Sequence, residues 1–222
     1  MSGRQAILWD NDGVLVDTEK WFFEANRRAL AELGVEVSWE QFEEINLKHG
    51  QSLLPLSGLQ GDPLAALYVH RDAIYSDLLR GEEIAIPGMA ELLRGFKGRF
   101  QMGIVTASHR EHFEIIHGRS GILEHVEFAV VREDYQLEKP HPDGYLTGIG
   151  KTGLGAGDCL AVEDSPRGIA AARAAGLDCI FFTPGGVGRG REVGEVWARA
   201  SSVDELGVAI EAWAAGPGAA PA

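Results

Sequence analysis

Five short apolar runs recur along the chain: AILW at 6–9, QMGIVTA at 101–107, EFAVV at 127–131, CLAVE at 159–163 and CIFF at 179–182. They are hydrophobic at successive positions and rich in Val, Ile and Phe. That is the pattern of strands covered on both faces, as in a parallel sheet between helices. Helical patterns separate most of them. PGMAELLRGF precedes the second run, and REHFEIIHGR follows it with Phe113 and Ile116 on one face. SPRGIAAARAAG follows the fourth, with Ser165 as N-cap, Pro166 at the first helical position and Gly176 as the stop. SVDELGVAIEAW opens with Ser202 and Glu205 at capping-box spacing. The alternation predicts an α/β fold, a doubly wound, Rossmann-like parallel sheet.

Residues 18–86 break the alternation and hold no convincing strand. TEKWFFEANRRALAELG has apolar residues at 22, 25, 29 and 33, a helical spacing, and Gly34 ends it. SWEQFEEINL starts with Ser38 and Gln41 at capping-box spacing, and DPLAALYVHRDAIYSDLLRG starts with Asp62 as N-cap and Pro63 at the first helical position. An all-helical cap is therefore expected at 18–86, inserted after the first strand. Residues 1–17 and 87–215 form the α/β core, and the Pro/Gly/Ala tail at 216–222 is expected to be disordered.

Charge sharpens this picture. The formal net charge of −13 argues against nucleic acid or an anionic membrane surface as partner. If the ligand is an anion, positive charge has to be concentrated locally or brought in by a metal ion. Two cysteines, Cys159 and Cys179, make no disulfide framework and read as small core residues in a reducing compartment. The N-terminal apolar run is too short for a signal peptide, and no stretch approaches a membrane span. A cytoplasmic protein, monomeric by default, is the expectation.

The candidate chemistry collects at strand ends. In open parallel sheets ligands bind beyond the carboxyl ends of the strands. Asp10 ends the first run, Asp12 lies in the turn, and Gly13 lets that turn be sharp. The fourth run ends in Glu163 and Asp164. Carboxylates gathered there would raise one another's pKa, and a hard divalent cation such as Mg²⁺ resolves the conflict. The second run ends IVTAS, which offers the Thr106 hydroxyl and the backbone N–H groups of Ala107 and Ser108 beside a helix N-terminus. LEKPHPDGY after the third run supplies Lys139. A nucleophilic carboxylate, a metal site, donors and a lysine are the parts of phosphoryl transfer through an aspartyl-phosphate. Blander roles compete at each position: a solvated turn for Asp10 and Asp12, helix capping for Glu163-Asp164-Ser165, an ordinary surface lysine for Lys139, a strand end for Thr106.

Four motifs in order resemble the haloacid dehalogenase superfamily, in the branch with a helical cap that includes phosphoglycolate phosphatases and β-phosphoglucomutases. DNDGVLVDTE is similar to its D-x-D-G-x-L-x-D-T-E signature, and IVTAS to its hydrophobic run ending in Ser or Thr. KPHPDGY is similar to K-P-x-P-D-x-[FY], and VEDSPRGIAAARAAG to E-D-S-x-x-G-x-x-A-A-x-x-A-G. The resemblance covers residue 5 to about residue 185. It implies that Asp10 attacks phosphorus and binds Mg²⁺. It implies that Asp12 gives the metal its backbone carbonyl, while its side chain protonates the leaving alcohol and then takes a proton from the hydrolytic water. Thr106 and the Ala107 N–H would bind phosphoryl oxygens, and Lys139 would neutralise charge on phosphate and Asp10. Asp164 would bind Mg²⁺ directly and Glu163 through water. Thr18 would lie at the core–cap hinge.

Departures from the pattern narrow the reaction. Asp12 and a full metal set argue against dehalogenation. The sugar-phosphate mutase branch typically has His four residues beyond the signature Thr, where this chain has Phe22. It also has Lys before the cap-loop Gly and Arg three residues after it, where this chain has His49 before Gly50 and Leu53 after it. Hydrolysis of a small organophosphate monoester is the expected reaction, with a mutase or a non-catalytic binder as alternatives. Asn11 is a further departure, since an apolar residue is usual between the two aspartates. Trp21, Lys48, His49, Gly50, Ser108 and His109 are candidates for substrate contact. For Trp21 a place in the cap core stands beside that reading, for His49 a solvated loop, and for His109 the start of a helix.

Overall fold

The computed structural model describes residues 5–81, 84–186 and 193–216. Its central sheet has six strands in the order β3-β2-β1-β4-β5-β6, all parallel. The strands are β1 (Ala6–Trp9), β2 (Gln101–Val105), β3 (Phe128–Val130), β4 (Cys159–Glu163), β5 (Asp178–Phe182) and β6 (Ala198–Ala200). This is the doubly wound arrangement, with β1 central between β2 and β4. Five strands coincide with the five apolar runs. The sixth, Ala-Arg-Ala, is three residues long and has no apolar run to announce it. It forms because the edge of β5 offers unpaired backbone groups, and Ile180 to Phe182 pair with Ala198 to Ala200.

Burial on both faces explains the unbroken hydrophobicity of these strands. Ala6, Leu8, Val105, Val130, Ala161 and Phe181 join one core cluster with Tyr145, Ile169 and Ala172. Those last three come from helices α6 (Asp143–Thr152) and α7 (Pro166–Ala174). Side chains alternate along a strand, so Ile7 and Trp9 bury on the other face. The helix α6 comes close to the sheet because Gly148 has no side chain. A Cβ there would lie 2.9 Å from Val105 and 3.3 Å from Leu8. Helices α4 (Met89–Phe96) and α8 (Val203–Ala214) touch where Gly207 faces Leu92.

Helix starts follow the local chemistry. Ser165 Oγ accepts from Gly168 N at the head of α7, and Ser202 accepts from Glu205 N at the head of α8. The Glu205 carboxylate does not complete a capping box; it bonds Ser201 N and Oγ instead.

The chain divides into two compact units, Met1–Asp17 with Ala85–Ala222, and Thr18–Ile84. The second contains α1 (Glu19–Ala31), α2 (Trp39–Phe42) and α3 (Gly61–Gly81). Ala85 bridges Val16, and Ile86 N bonds Leu15 O, so Ala85 and Ile86 join the core and the return junction falls two residues before the expected one. The Ser38–Gln41 capping box is formed, but α2 is followed by a π-helix, Glu43–Lys48, before the Gly50 turn. The helix α3 begins at Gly61, so Asp62 sits inside its first turn and not at the cap. The expected tail beyond residue 216 lies outside the described residues. Among the described residues no helix is long and apolar enough to cross a membrane.

Aromatic packing holds the helical unit. Phe42 is fully buried, with ring centroids of Phe23 at 5.5 Å, Trp39 at 5.2 Å and Phe22 at 6.3 Å. Removing that ring deletes transfer energy and leaves a cavity. Phe42→Ala is expected to lower stability by about 3–5 kcal/mol, read as a shift in the urea midpoint.

Candidate active site

Adjacent strands end in acid side by side. Asp10 N donates to Val162 O, which extends the β1–β4 ladder one residue past the strand and carries Asp10 to the carboxyl edge. Glu163 ends β4 and Asp164 follows it. One ligand oxygen from each of Asp10, Glu163 and Asp164 falls within a 4.8 Å cluster, and all three residues are buried. Two glycines admit this crowding. A Cβ on Gly13 would meet Asp164 Oδ2 at 2.2 Å, and Gly13 has φ of +81°. A Cβ on Gly168 would stand 2.0 Å from the Glu163 carboxylate. The glycine in the ED-S-x-x-G stretch thus makes room for the glutamate five residues before it.

Lys139 reaches this cluster from the loop after β3. Its Nζ lies 2.8 Å from Asp10 Oδ1 and 2.6 Å from Glu163 Oε1, and it also donates to Val105 O at 3.3 Å. The Lys139–Pro140 peptide is cis. Tyr145 OH donates to the same Glu163 oxygen at 2.8 Å, and Ser165 Oγ donates to the other at 3.3 Å. Burial pushes the Asp10 carboxyl up to about 7, the Glu163 charge adds to the rise, and the Lys139 charge opposes it. Burial disfavours charge on Lys139 too, but Asp10 and Glu163 outweigh it and hold its pKa above the usual lysine value. Burial disfavours charge on both groups; at Lys139 the two carboxylates prevail over it, and at Asp10 the shared ammonium does not.

Charge and donor type identify what the cluster is able to hold. Three carboxylates against one ammonium leave two negative charges when all are ionised. The donors are hard oxygens, and Asp10 is reluctant to ionise in their company. A hard divalent cation matches the charge and the ligand type.

Asp12 is anchored on the other side. Ser108 Oγ donates to Asp12 Oδ2 at 2.6 Å and Thr106 Oγ1 at 3.3 Å. Thr106 is fully buried; its N donates to Val130 O, and its Oγ1 accepts from Ser108 N at 2.9 Å. Tyr135 OH donates to Thr106 O. The loop Thr106–Ala107–Ser108 therefore stands directly over the Asp12 carboxylate. Ser108, read from the sequence as a substrate contact, turns its hydroxyl onto Asp12.

His109 is exposed, and its Nδ1 lies 2.8 Å from Glu133 Oε1. In the helical unit Lys48 Nζ and His49 Nε2 each lie 3.0 Å from the Glu44 carboxylate. Trp21 Nε1 is buried without a hydrogen-bond partner, and the Lys20 ammonium lies 5.2 Å from its ring centroid. Gly50 takes φ of +68°, and its N donates to Asn46 O. Three participants escaped sequence reasoning in their roles. Tyr145 was present as the last letter of KPHPDGY, and its aromatic hydroxyl was the available signal. Asn11 was marked as unusual without a partner. His117, on the last turn of α5 (Arg110–His117), gave no signal, since its partner Asn11 is 106 residues away.

A family model described as haloacid dehalogenase-like hydrolase matches residues 7–182. The chain belongs to this family. Among curated haloacid dehalogenase-like relatives, the (DL)-glycerol-3-phosphatase 1, mitochondrial, of Arabidopsis thaliana is 30% identical over 188 residues. The match covers 79% of this chain and 62% of that relative, less than two thirds of its length. The fructose-1-phosphate phosphatase YqaB of Escherichia coli (strain K12) is 27% identical over 178 residues, covering 78% of this chain and 94% of that one. The crystal structure of CbbY from Rhodobacter sphaeroides in complex with phosphate superposes with a TM-score of 0.76. It covers 92% of this chain and 96% of that one at 24% identity, a likeness of fold.

The Gly168–Glu163 contact can be tested by adding one methyl group. Ala is the better helix former by about 1 kcal/mol, but the carboxylate it would strike is pinned by Lys139 and Tyr145. The clash prevails: Gly168→Ala is expected to destabilise the protein by about 1–3 kcal/mol, measured by denaturant unfolding.

Proposed function

We propose that the chain is a Mg²⁺-dependent phosphatase that hydrolyses a small organophosphate monoester through an aspartyl-phosphate on Asp10. The observation that carries this reading is Lys139 held between Asp10 and Glu163, with Asp164 in the same buried cluster. Such a lysine orients the nucleophile and supplies local positive charge in a chain whose formal net charge is −13.

In the first half-reaction an Asp10 oxygen forms a bond to phosphorus while the ester P–O bond breaks, and Asp12 gives its proton to the departing alcohol. In the second, water adds to phosphorus and loses a proton to Asp12, and the Asp10–phosphorus bond breaks to release inorganic phosphate. The Thr106 hydroxyl, turned from Asp12 to substrate, and the Ala107 N–H would donate to phosphoryl oxygens, with Lys139 countering their charge. The carboxylates of Asp10 and Asp164 and the Asp12 carbonyl would hold Mg²⁺, which when bound offsets carboxylate and phosphoryl charge. Glu163 has both oxygens engaged by Lys139, Tyr145 and Ser165, which supports an indirect, water-mediated part for it.

Hydrolysis is favoured over mutase chemistry by Phe22. At the position where the mutase branch carries a histidine, this ring packs against Tyr75 at 5.1 Å and under the Arg71 guanidinium at 4.5 Å. It offers no proton. Lys48 and His49 both lie 3.0 Å from the Glu44 carboxylate, which weakens the cap as a holder of a second phosphate. The curated relatives named for glycerol-3-phosphate and fructose-1-phosphate support a polyol or sugar monophosphate as the substrate class.

Asp10→Asn is expected to lower phosphate release from an aryl phosphate and from polyol and sugar monophosphates by at least about a thousandfold. Release at the wild-type rate would defeat the assignment. Exhaustive chelation is expected to abolish turnover, and added Mg²⁺ to restore it; turnover that persists in metal-free buffer would remove the cation from the mechanism.

A further inference from the structure

Asn11 is fully buried between the two aspartates, so its carboxamide has to be satisfied inside the protein. Its Oδ1 lies 2.8 Å from His117 Nε2, and its Nδ2 lies 3.3 Å from Asp12 Oδ2. His117 is itself buried, with Nδ1 2.8 Å from Ser120 Oγ. Ser120 Oγ in turn accepts from Ile122 N at 3.2 Å. The backbone fixes Asn11 as well, since its carbonyl accepts from the N–H groups of Val14, Leu15 and Val16.

The donor directions along this chain follow from one end. The Asn11 amide presents its N–H₂ to Asp12 Oδ2, an acceptor that also takes the Ser108 and Thr106 hydroxyls. That turns Oδ1, an acceptor, toward the imidazole, and Nε2 must carry the hydrogen. In a neutral ring Nδ1 is then bare and accepts a hydrogen bond from the Ser120 hydroxyl. Neutrality agrees with the surroundings: burial pushes the His117 pKa down to about 4, and the Asp12 charge only partly opposes it. Each group in the chain has one consistent role.

We propose that Ser120, His117 and Asn11 form a positioning chain for Asp12, holding its carboxylate through Oδ2. Oδ2 accepts from Asn11, Ser108 and Thr106, which occupies its lone pairs. The hydroxyls of Ser108 and Thr106 rotate and belong to a loop. Asn11 is the rigid donor of the three, because His117 holds its amide plane from behind. These residues touch no reacting atom; they act through Asp12. The inference rests on the phosphatase reading for the role of Asp12 and on geometry for the chain itself.

The test separates positioning from mere packing. Asn11→Leu and His117→Leu each leave a buried polar group unpartnered and are expected to lower Tm. The double variant removes both polar groups and is expected to regain most of that Tm, since apolar replacement of both partners is nearly neutral. Its kcat on an aryl phosphate is nevertheless expected to fall about tenfold, with KM within about twofold of wild type. His117→Gln, whose amide still donates to Asn11, is expected to keep kcat within about threefold. A double variant that regains kcat together with Tm overturns the proposal. A second measurement does not depend on activity: ¹⁵N NMR of wild type at pH 7, assigned with His117→Gln, should show His117 neutral with hydrogen on Nε2. Hydrogen on Nδ1, or an imidazolium, overturns the directed chain. Wild type that releases no phosphate from any monoester, with the Nε2–H form intact, instead overturns the phosphatase reading and the role built on it.

Discussion

The Lys139 ammonium sits between Asp10 and Glu163 in a site where all three are withdrawn from water. Desolvating three charges is costly, and pairing recovers that cost only when the geometry is good and the remaining lone pairs are satisfied. Here the recovery is visible. Glu163 also receives Tyr145 and Ser165, and Lys139 also reaches the Val105 carbonyl. Remove the lysine, and two carboxylates would face each other in a low-dielectric cleft. The arrangement of β1, β4 and the loop after β3 is tied together by this one shared cation.

Small residues make the arrangement sterically possible. Gly13 lets the turn after β1 press on Asp164, and Gly168 opens the first turn of α7 for the Glu163 carboxylate. Gly148 brings α6 down onto Leu8 and Val105, and α6 carries Tyr145 to Glu163. Close packing and electrostatics are therefore one design: the charges can be buried because the backbone around them has no side chains in the way. The same logic reaches Asp12, which is held by hydroxyl and amide donors while Asp10 is held by an ammonium. Two aspartates two positions apart in sequence receive opposite environments, which suits a nucleophile and a proton carrier.

What could be read from the sequence was whatever is local. Unbroken apolar runs revealed five strands because both sheet faces are covered, and Ser165 and Ser202 revealed two helix starts because capping spans three residues. Strand ends placed Asp10, Thr106, Glu163 and Asp164 on one edge, since a parallel sheet aligns its carboxyl termini. The β6 strand was not legible: its three residues take strand form from the free edge of β5 and not from their own pattern. The π-helical turn at Glu43–Lys48 was equally silent, because it differs from α-helix in register and not in amphipathicity. Pairings across the chain were the main loss. The sequence marks Ser108, Lys48 and His49 as candidates for substrate contact, and it gives no sign that the Ser108 hydroxyl bonds Asp12 or that Lys48 and His49 both lie against Glu44.

Charge balance links the surface to the cleft. A chain with formal net charge of −13 repels an anionic phosphate ester at long range, but screening confines that repulsion to about 8 Å at physiological ionic strength. Inside the cleft screening is weak, and the local sum governs. Lys139 is already committed to two carboxylates there, so it cannot by itself offset an incoming phosphate. The deficit of positive charge that remains is one that a hard divalent cation would offset at this acidic cluster. Burial keeps Asp10 hard to ionise, and the Glu163 charge adds to that. A cation held there would oppose that bias and favour the Asp10 carboxylate, the form in which it would act as the proposed nucleophile.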